Sequence, residues 1–271
     1  AKKRLNMPQL EYTFAKAIQG ATTLEACVKK LTVHFAEAAQ PDIVLLLGAL
    51  KALAQTMDGW GSKLAAESLE PDYHNRMHAF QVMTALFLLF AQEDLDANSW
   101  PHKQWPTFLA KERLLILIAA LGHDALHPGG VNSKPLAFEK IAAKAVTQIL
   151  QQHQVAKEEV VFVRDLILST DFELVGTLHD RLSQFNENQT IPLELRAAAL
   201  LTEADILPSV LPIHGEHLAT LLSSEWKKAG VLTREDPALP ETRKRFLGRV
   251  RFSSPHAQSL GVPGMIEKQM Q

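Results

Sequence analysis

Side chains able to hold a metal ion or move a proton concentrate in three short segments far apart in the chain. The first, Tyr73-His74-Asn75-Arg76-Met77-His78, follows Pro71-Asp72, which can start a helix. In a helix, the four-residue step would put His74 and His78 on one face, about 5–6 Å apart at Cβ. The second, Gly122-His123-Asp124-Ala125-Leu126-His127-Pro128-Gly129-Gly130-Val131-Asn132, follows a uniformly apolar run from Leu114 to Leu121. Such a run reads as a helix buried on all sides. Leading it straight into an imidazole and a carboxylate is costly unless a divalent cation pairs them. The third is Glu203-Ala204-Asp205, an acidic step within an apolar helical pattern. His78, His123, Asp124 and Asp205 form a set suited to zinc, manganese or iron, with a carboxylate to bridge to a second, harder ion such as magnesium or manganese.

Helices would have to position these groups. Apolar residues recur at helical spacing at Leu24, Val28, Leu31 and Phe35, at Ile43, Leu46, Leu50 and Leu53, and at Val160, Val163 and Ile167. Alternating strand patterns are scarce. Breaks are expected at Gln40-Pro41, Gly59 to Gly61, Glu70-Pro71-Asp72, Asp94 to Pro106, Pro128-Gly129-Gly130, Asn186 to Pro192 and Gly230 to Pro240. With no linker-like stretch and no repeat, the expectation is one all-α domain over residues 1–271, with about ten to thirteen helices. Residues 1–70 carry no chemical motif and would complete the core or form a homodimer face, with the metal-site core at 71–260.

Composition narrows the function. The 28 Lys+Arg and 30 Asp+Glu leave a net charge of −2, which argues against a nucleic-acid polymer as partner. With 46% hydrophobic and 21% charged residues, the chain should fold. Cys27 is the only cysteine, so any metal rests on histidine and carboxylate. The apolar stretches from Val82 to Ala91 and from Leu114 to Leu121 are shorter than the ~20 residues of a membrane span. No secretory apolar core follows Ala1-Lys2-Lys3-Arg4. A soluble, cytoplasmic protein without membrane attachment is expected.

The order and spacing of His74-Asn75-x-x-His78, His123-Asp124-x-x-His127-Pro128-Gly129-x-x-Asn132, Ser169-Thr170-Asp171 and Ala204-Asp205 resemble those of the class I 3′,5′-cyclic-nucleotide phosphodiesterases of the HD superfamily. The resemblance runs from about Tyr73 to Asp205, with a weaker echo to about Leu260. It implies that His78, His123, Asp124 and Asp205 hold a first ion, with Asp124 bridging to a second. It further implies that His127, Thr170, Glu139 and Asn132 support metal-bound water and that His74 is the general acid. The expected reaction is hydrolysis of cyclic AMP or cyclic GMP to the 5′-monophosphate. Two ions generate hydroxide from water and neutralise the phosphoryl oxygens, and a protonated imidazole assists the leaving alkoxide. The segment between Asn132 and Glu139 is shorter than in the family and lacks its histidine pair.

The family's base-binding glutamine is missing from the stretch before Pro255, and Gln258 lies beyond that proline. Candidates for the substrate pocket are Tyr73, Phe172, Arg245, Arg249 and Phe252, with Phe246 as another ring that could stack on a base. Two alternatives accompany the main reading: an HD-type phosphohydrolase acting on another phosphate ester, and a silent module that binds a nucleotide or a protein. His179-Asp180 is expected on a solvated helix face, His214-Gly215-Glu216-His217 at the surface, and Cys27 in the packing of an amphipathic helix.

Overall fold

The computed structural model describes residues 6–20, 23–35, 40–95, 103–231 and 235–271. Among these, every regular element is helical. In chain order they are α1 (Met7–Gln19), α2 (Leu24–Leu31), α3 (Pro41–Ala66), α4 (Arg76–Leu95), α5 (Ala110–Gly122), α6 (Ala137–Gln152), α7 (Lys157–Leu168), α8 (Phe172–Leu182), α9 (Leu193–Val210), α10 (Pro212–Lys228), α11 (Pro240–Arg249), α12 (Pro255–Leu260) and α13 (Val262–Met270), with one 3₁₀ turn at Val33–Phe35. Prolines open α3, α10, α11 and α12, where the missing amide hydrogen costs nothing.

Three helices form the centre. The α5 run from Leu114 to Gly122 is buried on every side, as its uniform apolarity requires. α4 is buried from His78 to Leu86 and α9 from Arg196 to Ala204. α4 packs on both α5 and α9, and α3 packs on α5. At roughly 1.5–3 kcal/mol for each large aliphatic side chain removed from water, this packing fixes where the polar ends of the three helices meet. One contiguous apolar cluster draws residues from α1 to α9 and from α11 to α13, Cys27 among them. α3, 26 residues long, is apolar enough by length and composition to cross a membrane, but buries Ile43, Leu46, Leu50 and Leu53 in this cluster.

Three expectations are corrected. Gly59 to Gly61 do not break the chain, because α3 runs through them to Ala66. His179 is buried: Val175, Leu178, His179 and Leu182 share the inward face of α8, and His179 Nδ1 lies 2.7 Å from Ser253 Oγ. Its partner in the motif, Asp180, is exposed as expected. His214 is also partly covered, because α1 lies across it; Phe14 stacks on its ring at 5.8 Å, and Glu11 accepts hydrogen bonds from the amides of Ile213 and His214 at 2.7 and 3.0 Å. Glu216 and His217 remain exposed. Of the break from Asp94 to Pro106, residues 96–102 lie outside the described set, and α4 ends at Leu95.

Candidate metal centre

His78 sits in the first turn of α4, His123 caps the C-terminus of α5, Asp124 follows it in a turn, and Asp205 projects from the middle of α9. Packing of the three central helices brings the four together. His78 Nε2 lies 3.3 Å from Asp124 Oδ2 and 3.0 Å from Asp205 Oδ1. His123 Nε2 lies 3.2 and 3.4 Å from the same two oxygens. Donor atoms bound at about 2.0–2.2 Å to one ion stand about 3.0–3.4 Å apart, so these separations fit a shared cation. The chemistry fits as well. His123 Nδ1 lies 2.8 Å from the carbonyl of Ala120, which fixes the tautomer and leaves Nε2 as the ligating atom. That Nε2 is enclosed and has no hydrogen-bond partner among the described residues. Burial works against charge on both imidazoles, yet Asp124 and Asp205 outweigh it and raise both pKa values above the ordinary histidine range. Burial likewise disfavours the two carboxylates, and His123 and His78 hold them well below theirs. The pocket therefore demands positive charge.

His74 lies beside this cluster. The expected continuous helix is not formed, since α4 begins only at Arg76, and His74 belongs to the preceding loop. The Asn75 side chain makes the transition: its Oδ1 accepts from the amides of Met77 and His78 at 2.8 and 3.2 Å. Its Nδ2 donates to the carbonyls of Pro71 and Asp72 at 3.1 and 2.9 Å. The His74 and His78 rings still approach to 5.9 Å.

Sequence reasoning missed the group that holds His74. Glu225, buried on α10, places Oε1 2.6 Å from His74 Nδ1 and accepts from the amide of Gly130 at 3.1 Å. Its Oε2 accepts from the amides of Tyr73 and His74, each at 2.9 Å. Burial would raise the carboxyl pKa, but His74 and these amides bring it down to about 2, so Glu225 is an anion that orients the imidazole. Gly129 and Gly130, at φ of 84° and 87°, let the loop after His123 close over this carboxylate. The signal was present: Gly215, Leu218, Leu222 and Glu225 step by three and four, which places an acid on the inward face of α10.

Residues 73–156 match the sequence profile of the family described as 3′5′-cyclic nucleotide phosphodiesterase. Over this segment the chain is similar to the cyclic-nucleotide phosphodiesterases. A yeast protein, 3′,5′-cyclic-nucleotide phosphodiesterase 2 of Saccharomyces cerevisiae, is 26% identical over 193 residues, 63% of this chain; the chain spans about a third (32%) of that relative's length. The phosphodiesterase domain of the RhoPDE fusion protein from the choanoflagellate Salpingoeca rosetta superposes with a TM-score of 0.59 at 16% identity, covering 96% of this chain and 89% of that one. The all-α expectation holds in both the helices and this fold likeness.

The other phosphodiesterase-motif residues fall as follows. His127 stacks on His74 at 3.9 Å and accepts from the Gly129 amide at Nδ1, 3.1 Å. Burial and His74 push its pKa down to about 4, so the ring is neutral with its proton on Nε2. Asn132 grips Glu139, donating to its two oxygens at 3.1 and 2.9 Å; burial holds that carboxyl above its ordinary pKa. Thr170 is buried and donates to the carbonyl of Ile167 at 2.8 Å. Tyr73 joins the cluster: its ring lies 4.8 Å from that of His78, and its hydroxyl is 2.9 Å from Ser209 Oγ. Of the remaining pocket candidates, Phe172, Phe246 and Arg249 meet between α8 and α11. Phe172 stacks offset on Phe246 at 6.1 Å with the Arg249 guanidinium 5.2 Å above its ring. Phe252 packs against the core, and Arg245 is exposed beside Thr242.

Proposed function

We propose that the chain hydrolyses a 3′,5′-cyclic nucleotide to the 5′-monophosphate with the help of two divalent ions. The observation that carries this reading is the convergence of two imidazoles and two carboxylates beside a histidine held by a buried carboxylate. His78, His123, Asp124 and Asp205 would hold a first ion, zinc or else manganese or iron, and Asp124 would be shared with a second, magnesium or manganese. When bound, such ions lower the pKa of water and neutralise phosphoryl oxygens. The protein's own part is proton delivery. Glu225 occupies Nδ1 of His74, so the proton for the departing ribose oxygen is carried on Nε2. His127, neutral and stacked on His74, fills that side of the imidazole without adding charge.

Purified protein loaded with zinc and magnesium should turn over cyclic AMP or cyclic GMP. Absence of turnover at full metal occupancy would refute this reading. A second version rests on the missing glutamine: the only one near Pro255 is Gln258, which is exposed on α12. A linear phosphodiester cleaved far faster than either cyclic nucleotide would move the assignment to another phosphate ester.

A further inference from the structure

Arg76 opens α4 two residues after His74 and lies against α3. Its Nε and Nη2 donate to Oε1 and Oε2 of Glu70 at 2.8 and 2.9 Å, and its Nη1 donates to Ser62 Oγ at 3.0 Å. Nη1 also lies 4.0 Å from Asp58 Oδ1. The two oxygens of Asp58 accept from the amides of Leu24 and Glu25 at 3.0 and 3.1 Å, fixing the start of α2. Gly61 makes the space. A Cβ there would stand 2.2 Å from Arg76 Nε, 2.4 Å from its Cδ and 2.8 Å from Glu70 Oε1. Glycine inside a helix costs about 1 kcal/mol relative to alanine, and the packing of Arg76 explains its presence within α3.

The bland alternative is a solvated ion pair, which contributes little. Two features argue against it. The side chains are only 30% and 20% exposed, and the contact is the planar two-point pairing that arginine offers and lysine does not. Its location adds a third. Glu70 and Arg76 pinch together the two ends of the loop that carries His74, and Asn75 stitches the interior of that loop. From α10, Lys228 meets Asp72 at 2.6 Å and Glu225 takes the amides of Tyr73 and His74. The loop that carries the imidazole is thus tied to α10 through Glu225 and Lys228 and to α3 through Arg76. Beside Arg76 opens a cavity of about 260 Å³ lined by Cys27, Asp58 and Phe80, so an arginine released by Glu70 has somewhere to go.

We propose that Arg76 and Glu70, seated in the slot left by Gly61, are positioning residues for His74. On this view α2 and α3, which bear no chemistry themselves, set the placement of the proton donor. The proposal rests on the reading of His74 given above. Displacement of a catalytic group by about 1 Å can cost 10²-fold in rate, so a brace of this kind is visible in kinetics even where it adds little stability.

The test uses the full chain, loaded with zinc and magnesium, as wild type, Arg76→Gln and Gly61→Ala. The last keeps both charges and only fills the slot, so it carries the test alone should Arg76→Gln not fold. Two substrates are compared: a cyclic nucleotide, whose leaving alkoxide needs a proton, and bis(p-nitrophenyl) phosphate, whose leaving group does not. The Nδ1 proton of His74 is followed by NMR. The expected result is a kcat on the cyclic nucleotide lower by about 10–100-fold with KM within about twofold, kcat on the nitrophenyl ester within about twofold, unchanged metal content, and a displaced His74 signal. Equal losses on both substrates, no loss on either, loss of metal, or an unmoved His74 signal would overturn it. If the wild type itself does not cleave cyclic nucleotides, the functional reading fails, and the His74 signal alone decides the brace.

Discussion

In the proposed reaction His74 acts as an acid, and a histidine in that role needs a partner that cannot itself donate. Glu225 receives four donors on two oxygens: the imidazole and the Gly130 amide on one, the amides of Tyr73 and His74 on the other. A glutamine in its place has one accepting oxygen, so one pair of donors would face an amide NH₂. Glu225→Gln should therefore lower kcat by about 10–100-fold without loss of metal. His74→Ala should lower it by about 10²–10⁴-fold. Because the two act as a unit, the double variant should be no slower than His74→Ala alone. Steady-state kinetics on all three proteins, with metal content measured in parallel, check this; additive losses would mean that Glu225 acts elsewhere.

At the scale of elements, the site depends on how closely α5 and α6 approach. Gly122, one residue before His123, would place an added Cβ 2.4 Å from Val146 Cγ2 on α6. Gly122→Ala should cost about 1–3 kcal/mol, measured by urea unfolding, and Val146→Ala in the same chain should restore part of it. α8 supplies a pH dependence. Burial, followed by Arg251, pushes the His179 pKa down to about 4, against about 6.5 in the unfolded chain. The unfolded state therefore binds the extra proton first. Stability is full above pH 6.5 and falls as pH drops from there to about 4, by about 2 kcal/mol between pH 7 and 5 from this residue. His179→Asn should flatten the urea-measured slope over that window. These helices also show what the sequence could carry. The burial of α5 was legible because its apolar run has no polar face, and the metal motifs because their ligands sit within a few residues of such helices. Gly61 was misread as a break because its reason, a guanidinium from α4, is tertiary. His179 was misread because Thr177, Asp180 and Arg181 around it are polar, while Val175 and Leu182, four residues before and three after, put it on the apolar face. The spacing along α10 turns Glu225 inward, but its partner Gly130 lies 95 residues away, and no local pattern names that partner.

For the molecule as a whole, the cluster of His78, His123, Asp124 and Asp205 is a cross-link among α4, α5 and α9, three helices otherwise joined by apolar packing. An ion bound there stabilises the folded chain by mass action, about 2.7 kcal/mol when free metal stands at 100 times its dissociation constant. For a domain of this size each kcal/mol moves Tm by roughly 2–4 °C. Stripping the metal with a chelator should therefore lower Tm by about 5–10 °C and abolish turnover, with both restored on adding zinc and magnesium. Variants separate the roles within the cluster. Asp205→Asn removes a ligand and should shrink the chelator-dependent shift, whereas His74→Ala leaves all four ligands in place and should keep the shift in full while losing activity. A wild-type Tm indifferent to both chelator and added metal would show that the four side chains pair only with one another, and the proposed chemistry would lose its source of hydroxide.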